Sequence, residues 1–443
     1  MVKGFKGIVG MAALSTLALG ATPALAATEV VWWHAMEGSL GEKVNEIAEN
    51  FNQSQSDYVV KPVYKGTYSE NLTSTIAAFR AGKAPAITQV YEVGTATMMN
   101  ARGAIYPVYG LMADTGQPFD PDAYLPAVTG YYSTTDDHML SLPFNSSTPV
   151  VYYNRDLFKK AGLDPDAPPT TWEAVAEAGK TIVDSGAANC GFTTTWPSWI
   201  QLENFAARQN IPFASEQNGF GGPSARLVFN DSDAIISHVQ DLIDWQKSGV
   251  FRYGGREDQA SPRFFSGDCA MLMASSASYA SVRDNTENFE FGVAPLPWDP
   301  RVIDQPKNSI IGGASLWVLK GQSEDVYKGV ARFFDYLSSP EVQADWHQFT
   351  GYLPITDKAY ALTRKQHFYD ENPGTEIALK QMTSTEPTDH SRGLRLGNMP
   401  QIRDVIEEEL ERVLNGDKSA RQALDDAADR GNELLEQFER SVS

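Results

Sequence analysis

Three observations predict an α/β fold in two domains. Between Glu29 and Tyr91, strand-like apolar runs take turns with stretches of helical period. This β-α-β-α-β order implies a parallel sheet covered by helices. A length of 443 residues allows two domains with full cores. Beyond the first 26 residues no segment is a long uninterrupted apolar run, so the rest of the chain is expected to be soluble.

The N-terminus reads as an export leader. Lys3 and Lys6 form a basic start, an apolar run spans Ile8 to Leu19, and Ala24-Leu25-Ala26 gives the small-x-small pattern a signal peptidase accepts. The run is shorter than the roughly 20 residues a spanning helix needs. Cleavage is expected before Ala27. No Cys follows it, so no N-terminal lipid anchor is indicated, and the expected location is the periplasm.

The elements follow in order. Glu29 to Trp33 (EVVWW) predicts a buried strand. An amphipathic helix comes next, with Val44, Ile47, Ala48 and Phe51 on one face. Tyr58 to Tyr64 alternates as a strand, a helix runs from about Ser69 to Arg80, and Pro85 to Tyr91 is a third strand. In parallel sheets ligands gather at the carboxyl ends of strands, which draws attention to Tyr91-Glu92 and to His34 through Glu37. Pro143 to Asn154 predicts a strand crossing between domains. Thr170 and Glu173 have the spacing of a capping box, and Asn218 to Pro223 marks loops. Asn398-Met399-Pro400 predicts a cap with proline at the first helical position, followed by Ile402, Ile406, Leu410 and Val413 until Asn415-Gly416. A last helix buries Leu424, Ala427, Leu435 and Phe438.

Charge and composition exclude several functions. The net charge is −20; the leader carries two lysines and no acid, so the remainder stands at −22. Such a chain suits neither nucleic acid nor anionic lipid, though a buried site can still be locally positive. The six histidines are scattered and cysteines number two, so neither a metal site nor a cofactor is expected. Cys190 and Cys269 suit an oxidising compartment, either joined or as two separate buried thiols, and no C-x-x-C is present. G-x-S-x-G, H-E-x-x-H and the Walker pattern are all absent, and Ile311-Gly312-Gly313-Ala314-Ser315 lacks dinucleotide spacing. The chain is therefore not expected to be an enzyme.

Five segments in order carry a resemblance: VYEVGTATMM at 90–99, PFNSSTPV with Ser146-Ser147-Thr148-Pro149, IIGGASLW at 310–317, TGYLP at 350–354 and RLGNMPQIR at 395–403. Together they resemble the sn-glycerol-3-phosphate-binding periplasmic proteins of ABC importers, within the maltose-type group of extracellular solute-binding proteins. The resemblance runs from the leader to the C-terminus.

It implies the type II periplasmic binding protein fold: two lobes, each a mainly parallel sheet flanked by helices, joined at a hinge. Lobe 1 would comprise 27–146 with 297–337, and lobe 2 would comprise 147–296 with 338–443, after a leader at 1–26. Crossings are expected near Asn145, near Phe291 to Pro297 and near Leu337 to Pro340. The ligand would be glycerol-3-phosphate or a glycerophosphodiester such as glycerophosphocholine, trapped by hinge closure and handed, by a monomeric receptor, to the permease subunits. An oligosaccharide receptor of the same fold is the alternative; an exported hydrolase would need a catalytic constellation that the sequence lacks.

Carried over by position, the implied contacts are Tyr68, Glu92, Ser147, Trp196, Ser275, Gly313, Tyr352 and Arg403, with Ser276 as the alternative to Ser275. Their chemistry suits the ligand. Arg403 offers a planar fork to phosphate oxygens, Ser147 and Ser275 are short donors, and Gly313 permits close backbone approach. Arg403 is expected in the first turn of its helix, or else in a surface salt bridge with Glu407 at i+4. Glu92 would repel a phosphate, so it is expected to take hydroxyls at the ligand's other end. Tyr68, Trp196 and Tyr352 would wall the cleft, Trp196 also facing a choline group by a cation–π contact.

Overall fold

A computed structural model describes residues 1–2, 4, 27–101 and 103–442. Residues 5–26, the body of the expected leader, lie outside them, and the predicted cleavage point goes with them. The strands are β1 (Thr28–His34), β2 (Tyr58–Tyr64), β3 (Ile87–Tyr91), β4 (Ile105–Tyr106), β5 (Leu142–Ser147), β6 (Pro149–Asn154), β7 (Cys190–Thr194), β8 (Cys269–Ser275), β9 (Phe291–Pro295) and β10 (Gly312–Leu319). They form two sheets, each flanked by helices, in a two-lobe α/β architecture. One sheet has the order β2-β1-β3-β10-β4, with β5 sharing β10; the other has the order β7-β8-β6-β9.

The expectation of mainly parallel sheets needs refinement. β1 pairs parallel with β2 and β3, and β7 with β8, but every pair made by β10 or β6 is antiparallel. Each sheet is thus a set of strands running one way with a single reversed strand inserted. The reversal has a chain-path cause. β6 enters the second sheet directly from β5 of the first, through Thr148 alone, and β10 enters the first sheet on the return path from β9 of the second. Neither is preceded by the helical crossover that makes neighbours parallel.

The predicted helices sit where their periodicity requires. Helix α1 (Gly38–Ser54) buries Val44, Ile47, Ala48 and Phe51. Helix α2 (Tyr68–Arg80) starts at a capping box, with the Thr67 hydroxyl accepting from the Glu70 N–H and the Glu70 carboxylate accepting from the Thr67 N–H. Around β1 a core forms from Val30, Trp32, Phe51 and Phe333; around β7 and β8 another forms from Trp172, Phe192, Phe205 and Met271.

Two helix starts differ from expectation by one residue. The helix Trp172–Asp184 is capped by Thr171, whose hydroxyl accepts from the Ala174 N–H, so Thr170 and Glu173 make no capping box. The helix Met399–Leu414 has Pro400 at its second position, and Asn398 precedes it with a left-handed φ of 51° and no side-chain cap. Asn398 instead donates to the Leu434 carbonyl of the last helix, Ala420–Val442, at 2.9 Å. That contact fixes how the two C-terminal helices meet. Cys190 and Cys269 are joined as a disulfide between register partners on the adjacent parallel strands β7 and β8.

Candidate functional site

The carboxyl ends of several strands converge on a cavity of about 560 Å³, inside the range of about 300–1,000 Å³ usual for small-ligand sites. All eight residues expected to meet the ligand line it: Tyr68, Glu92, Ser147, Trp196, Ser275, Gly313, Tyr352 and Arg403. Ser275, not Ser276, faces the cavity.

Each is placed by its element. Tyr68 opens α2 and stacks on Tyr91, the last residue of β3, with ring centroids 5.2 Å apart and planes within 1°. Its hydroxyl accepts from Asn145 Nδ2 at 2.9 Å and lies 3.5 Å from the Tyr352 hydroxyl. Asn145 Oδ1 accepts from Gln89 at 2.8 Å, and Gln89 Oε1 accepts from the Ala35 N–H at 2.8 Å. A buried amide relay therefore fixes the tyrosine pair from behind.

Ser147 ends β5 opposite Gly312, the first residue of β10. Gly313 has a φ of +88°, and a Cβ there would lie 1.8 Å from the Asn145 carbonyl oxygen, so only glycine fits without moving the strand. Ser275 ends β8, and its hydroxyl accepts from the Ala277 N–H at 3.2 Å.

Trp196 carries backbone strain. Its φ is +44°, a region bulky side chains avoid, and neighbouring Glu257 sits at +46°. The two are tied by the Trp196 N–H donating to the Glu257 carbonyl at 2.9 Å, and the indole N–H donates to Asp258 at 3.2 Å. The contorted backbone aims the indole at the cavity beside Asp258.

Arg403 differs most from expectation. It lies at the fifth helical position, in the second turn, because the helix starts at Met399. It is buried, and its partners are not Glu407: Nε donates to Glu203 Oε1 at 2.8 Å and Nη2 to Glu203 Oε2 at 2.7 Å, while Nη2 also lies 2.7 Å from Glu92 Oε1. Glu92 and Arg403, which the sequence reading set at opposite ends of the ligand, are thus in direct contact here. The turn after β3 packs against the Met399–Leu414 helix and brings the two side chains together. Burial works against the arginine's charge, but Glu203 and Glu92 outweigh it and hold the guanidinium protonated. Burial pushes the Glu92 carboxyl up, against the pull of Arg403.

Glu203 escaped sequence reasoning. It closes a π-helical turn, Ser198–Glu203, where it is 1% exposed and also accepts from the Ser198 hydroxyl at 2.9 Å. A π turn has no sequence pattern, although such turns gather at functional sites. Glu37, Asp258 and Asp284 add carboxylates to the cavity wall, and Arg403 is the one basic side chain among the described lining residues. A wall of carboxylates and aromatic rings suits a ligand that carries a cation as well as an anion.

The bacterial extracellular solute-binding protein family profile matches residues 46–375. The sn-glycerol-3-phosphate-binding periplasmic protein UgpB of Salmonella typhimurium is 52% identical over 94% of this chain and 95% of its own length. UgpB of an Escherichia coli O6 strain is 52% identical over 97% and 98%. Among solved structures, UgpB of Mycobacterium tuberculosis in complex with glycerophosphocholine superposes with a TM-score of 0.78 at 21% identity, covering 93% of this chain and 99% of that one. A cyclic alpha-maltosyl-1,6-maltose binding protein of Arthrobacter globiformis gives 0.73 at 23% identity, over 93% and 100%. At such identities these two structures speak for the fold alone.

Proposed function

This chain belongs to the bacterial extracellular solute-binding protein family, and on that premise we propose that it is the periplasmic receptor of an ABC importer. It captures sn-glycerol-3-phosphate or a glycerophosphodiester and presents it to the permease subunits as a monomer. The leader is removed before Ala27. Lobe 1 (27–146 with 297–337) and lobe 2 (147–296 with 338–443) close about the crossing at Ser147-Thr148-Pro149. The observation that carries the ligand class is the buried Arg403 guanidinium at a cavity that also gathers Ser147, Ser275 and the glycine backbone at 313. Full-length relatives at 52% identity, named for glycerol-3-phosphate, support the same class.

In this reading Arg403, Ser147, Ser275 and the Gly313 N–H take the phosphate, while Tyr68 and Glu92 take glycerol hydroxyls. Trp196 and Tyr352 close the walls. Micromolar affinity is about −8 kcal/mol, or roughly −0.8 per heavy atom for a ligand of about ten, within the ceiling of about −1.5 for very small ligands. Apolar burial of so small a polyol falls short of that, so charge-assisted bonds of about 1.5–3 kcal/mol each must supply it. The carboxylate-lined, aromatic wall specifically favours glycerophosphocholine as a second ligand, because its quaternary ammonium offsets Glu37, Asp258 and Asp284.

The test is a calorimetric titration with glycerol-3-phosphate, glycerophosphocholine and maltose, with Arg403→Lys and Arg403→Ala alongside. One-to-one binding of a phosphorylated glycerol compound, weakened more than tenfold in both variants, is the expected result. Binding of maltose alone would overturn the ligand and the phosphate assignment while leaving the two-lobe receptor.

A further inference from the structure

Arg403 brings one positive charge to a group of three buried carboxylates. Glu203 and Glu92 touch it directly. Glu407 follows one turn along the same helix, its side chain 8% exposed. From other elements Glu407 is faced by Glu203 and by Arg256, whose Nε lies 3.9 Å away; on its own helix the charged neighbours are Arg403, Asp404, the adjacent Glu408 and, one turn on, Glu411. Arg256 offers little, because its Nε and Nη2 already grip Glu411 at 2.8 and 2.7 Å. The cluster is short of positive charge before any ligand arrives.

An anionic phosphate beside Arg403 adds a further negative charge and competes for the same guanidinium. Buried carboxylates held by their helices cannot withdraw into solvent, so a proton is the remaining route to neutrality. We propose that capture of a phosphate ester takes up a proton from solvent onto the carboxylate cluster behind Arg403, with Glu407 as its principal seat. The proton bonds to a carboxylate oxygen, and no bond of the ligand breaks. The inference rests on the reading of Arg403 as the phosphate-facing residue.

The free protein is poised for it. Burial pushes the Glu407 carboxyl up to about 7, so the group is part-protonated near neutral pH. The ligand's charge, and its claim on Arg403, both raise that value further. A rise of about one unit would take up about half a proton per site at pH 7.5.

Glycerophosphocholine is the probe, because neither its phosphodiester nor its quaternary ammonium titrates near pH 7. Its binding heat is measured at pH 7.5 in two buffers of different ionisation enthalpy, for the native protein and for Glu407→Gln. The native protein is expected to show net uptake of about half a proton, and Glu407→Gln little or none. A second measurement needs no variant: the native Kd for glycerophosphocholine should tighten several-fold between pH 8 and pH 6.5. Binding whose heat is the same in both buffers, with a flat Kd over that range, would overturn the proton uptake and leave the proposed function standing. Failure of every phosphorylated glycerol compound to bind would remove the function and the inference with it.

Discussion

At the scale of the residue, Trp196 shows how strain and recognition meet. An L-residue with a large side chain at φ +44° pays about 1–2 kcal/mol, which the surrounding contacts must offset. The indole gains the Asp258 carboxylate as acceptor and a place on the cavity wall. Trp196→Gly should therefore remove the wall and the strain together. Its expected signature is a melting temperature within a few degrees of the parent, beside a loss of about tenfold or more in glycerophosphocholine affinity. A large drop in stability with unchanged affinity would show that the tryptophan serves packing. Trp196 was legible only through the family resemblance that carried it over by position; nothing in the sequence announced its left-handed backbone. Arg403 and Glu92 were both legible as candidate site residues, and both line the cavity, yet their direct contact was not legible. Their mutual placement depends on the packing of a helix near the C-terminus against the turn after β3, and no local pattern encodes so long a separation. Glu203 was invisible for a related reason: one acid among 56 Asp and Glu residues gains meaning only from the guanidinium it holds.

At the scale of the element, β8 carries two devices at its opposite ends. Cys269 begins the strand and is bonded to Cys190; Ser275 ends it at the cavity. Six residues of rise separate them by about 20 Å. The disulfide closes a loop of 79 residues, so the chain-entropy account gives it up to about 4–5 kcal/mol, with about 2–5 usual on removal of a native bridge. The double variant Cys190→Ala, Cys269→Ala is expected to unfold at lower denaturant concentration by an amount in that range, while ligand affinity changes less than twofold. A large change in affinity would mean that the strand transmits the bridge to the site. The sequence showed β1, β2 and β3 well because strand and helix periods alternate cleanly from Glu29 to Tyr91. It could not show that β6 and β10 run against their neighbours. PVVYYN and GGASLWVL are apolar runs whose direction is set by where the chain comes from, and that is a property of the crossing rather than of the run. The cap at Thr171 rather than Thr170 is a smaller case: adjacent threonines offer the same hydroxyl, and packing of Trp172 into the second core decides between them.

At the scale of the whole molecule, buried titratable groups pull stability in opposite directions with pH. Burial keeps His34 and His347 neutral down to about pH 4 and His238 down to about pH 3, against an ordinary value near 6.5. The unfolded chain gains protons on these three rings as pH falls below 6.5 while the folded chain does not, so acid weakens the fold. Glu407 acts the other way. Its folded value, about 7, lies above the unfolded one, so between that value and about 4.5 the folded chain holds the extra proton and acid strengthens the fold. Between pH 6 and 4.5 the three rings and this carboxyl leave a net excess of about two protons on the unfolded chain, or a loss of about 2.7 kcal/mol per pH unit on acidification. Glu407→Gln deletes the compensating group. Its stability, read from denaturant midpoints across that interval, should fall about one proton equivalent more steeply, at about 4 kcal/mol per unit from these groups. Parallel curves for variant and parent would mean that Glu407 titrates in its ordinary range. The carboxylate cluster would then be charged in the free protein, and a phosphate would meet its full repulsion. The same side chain thus links the acid stability of the fold to the charge the cleft accepts, and the denaturation experiment tests that link without any ligand present.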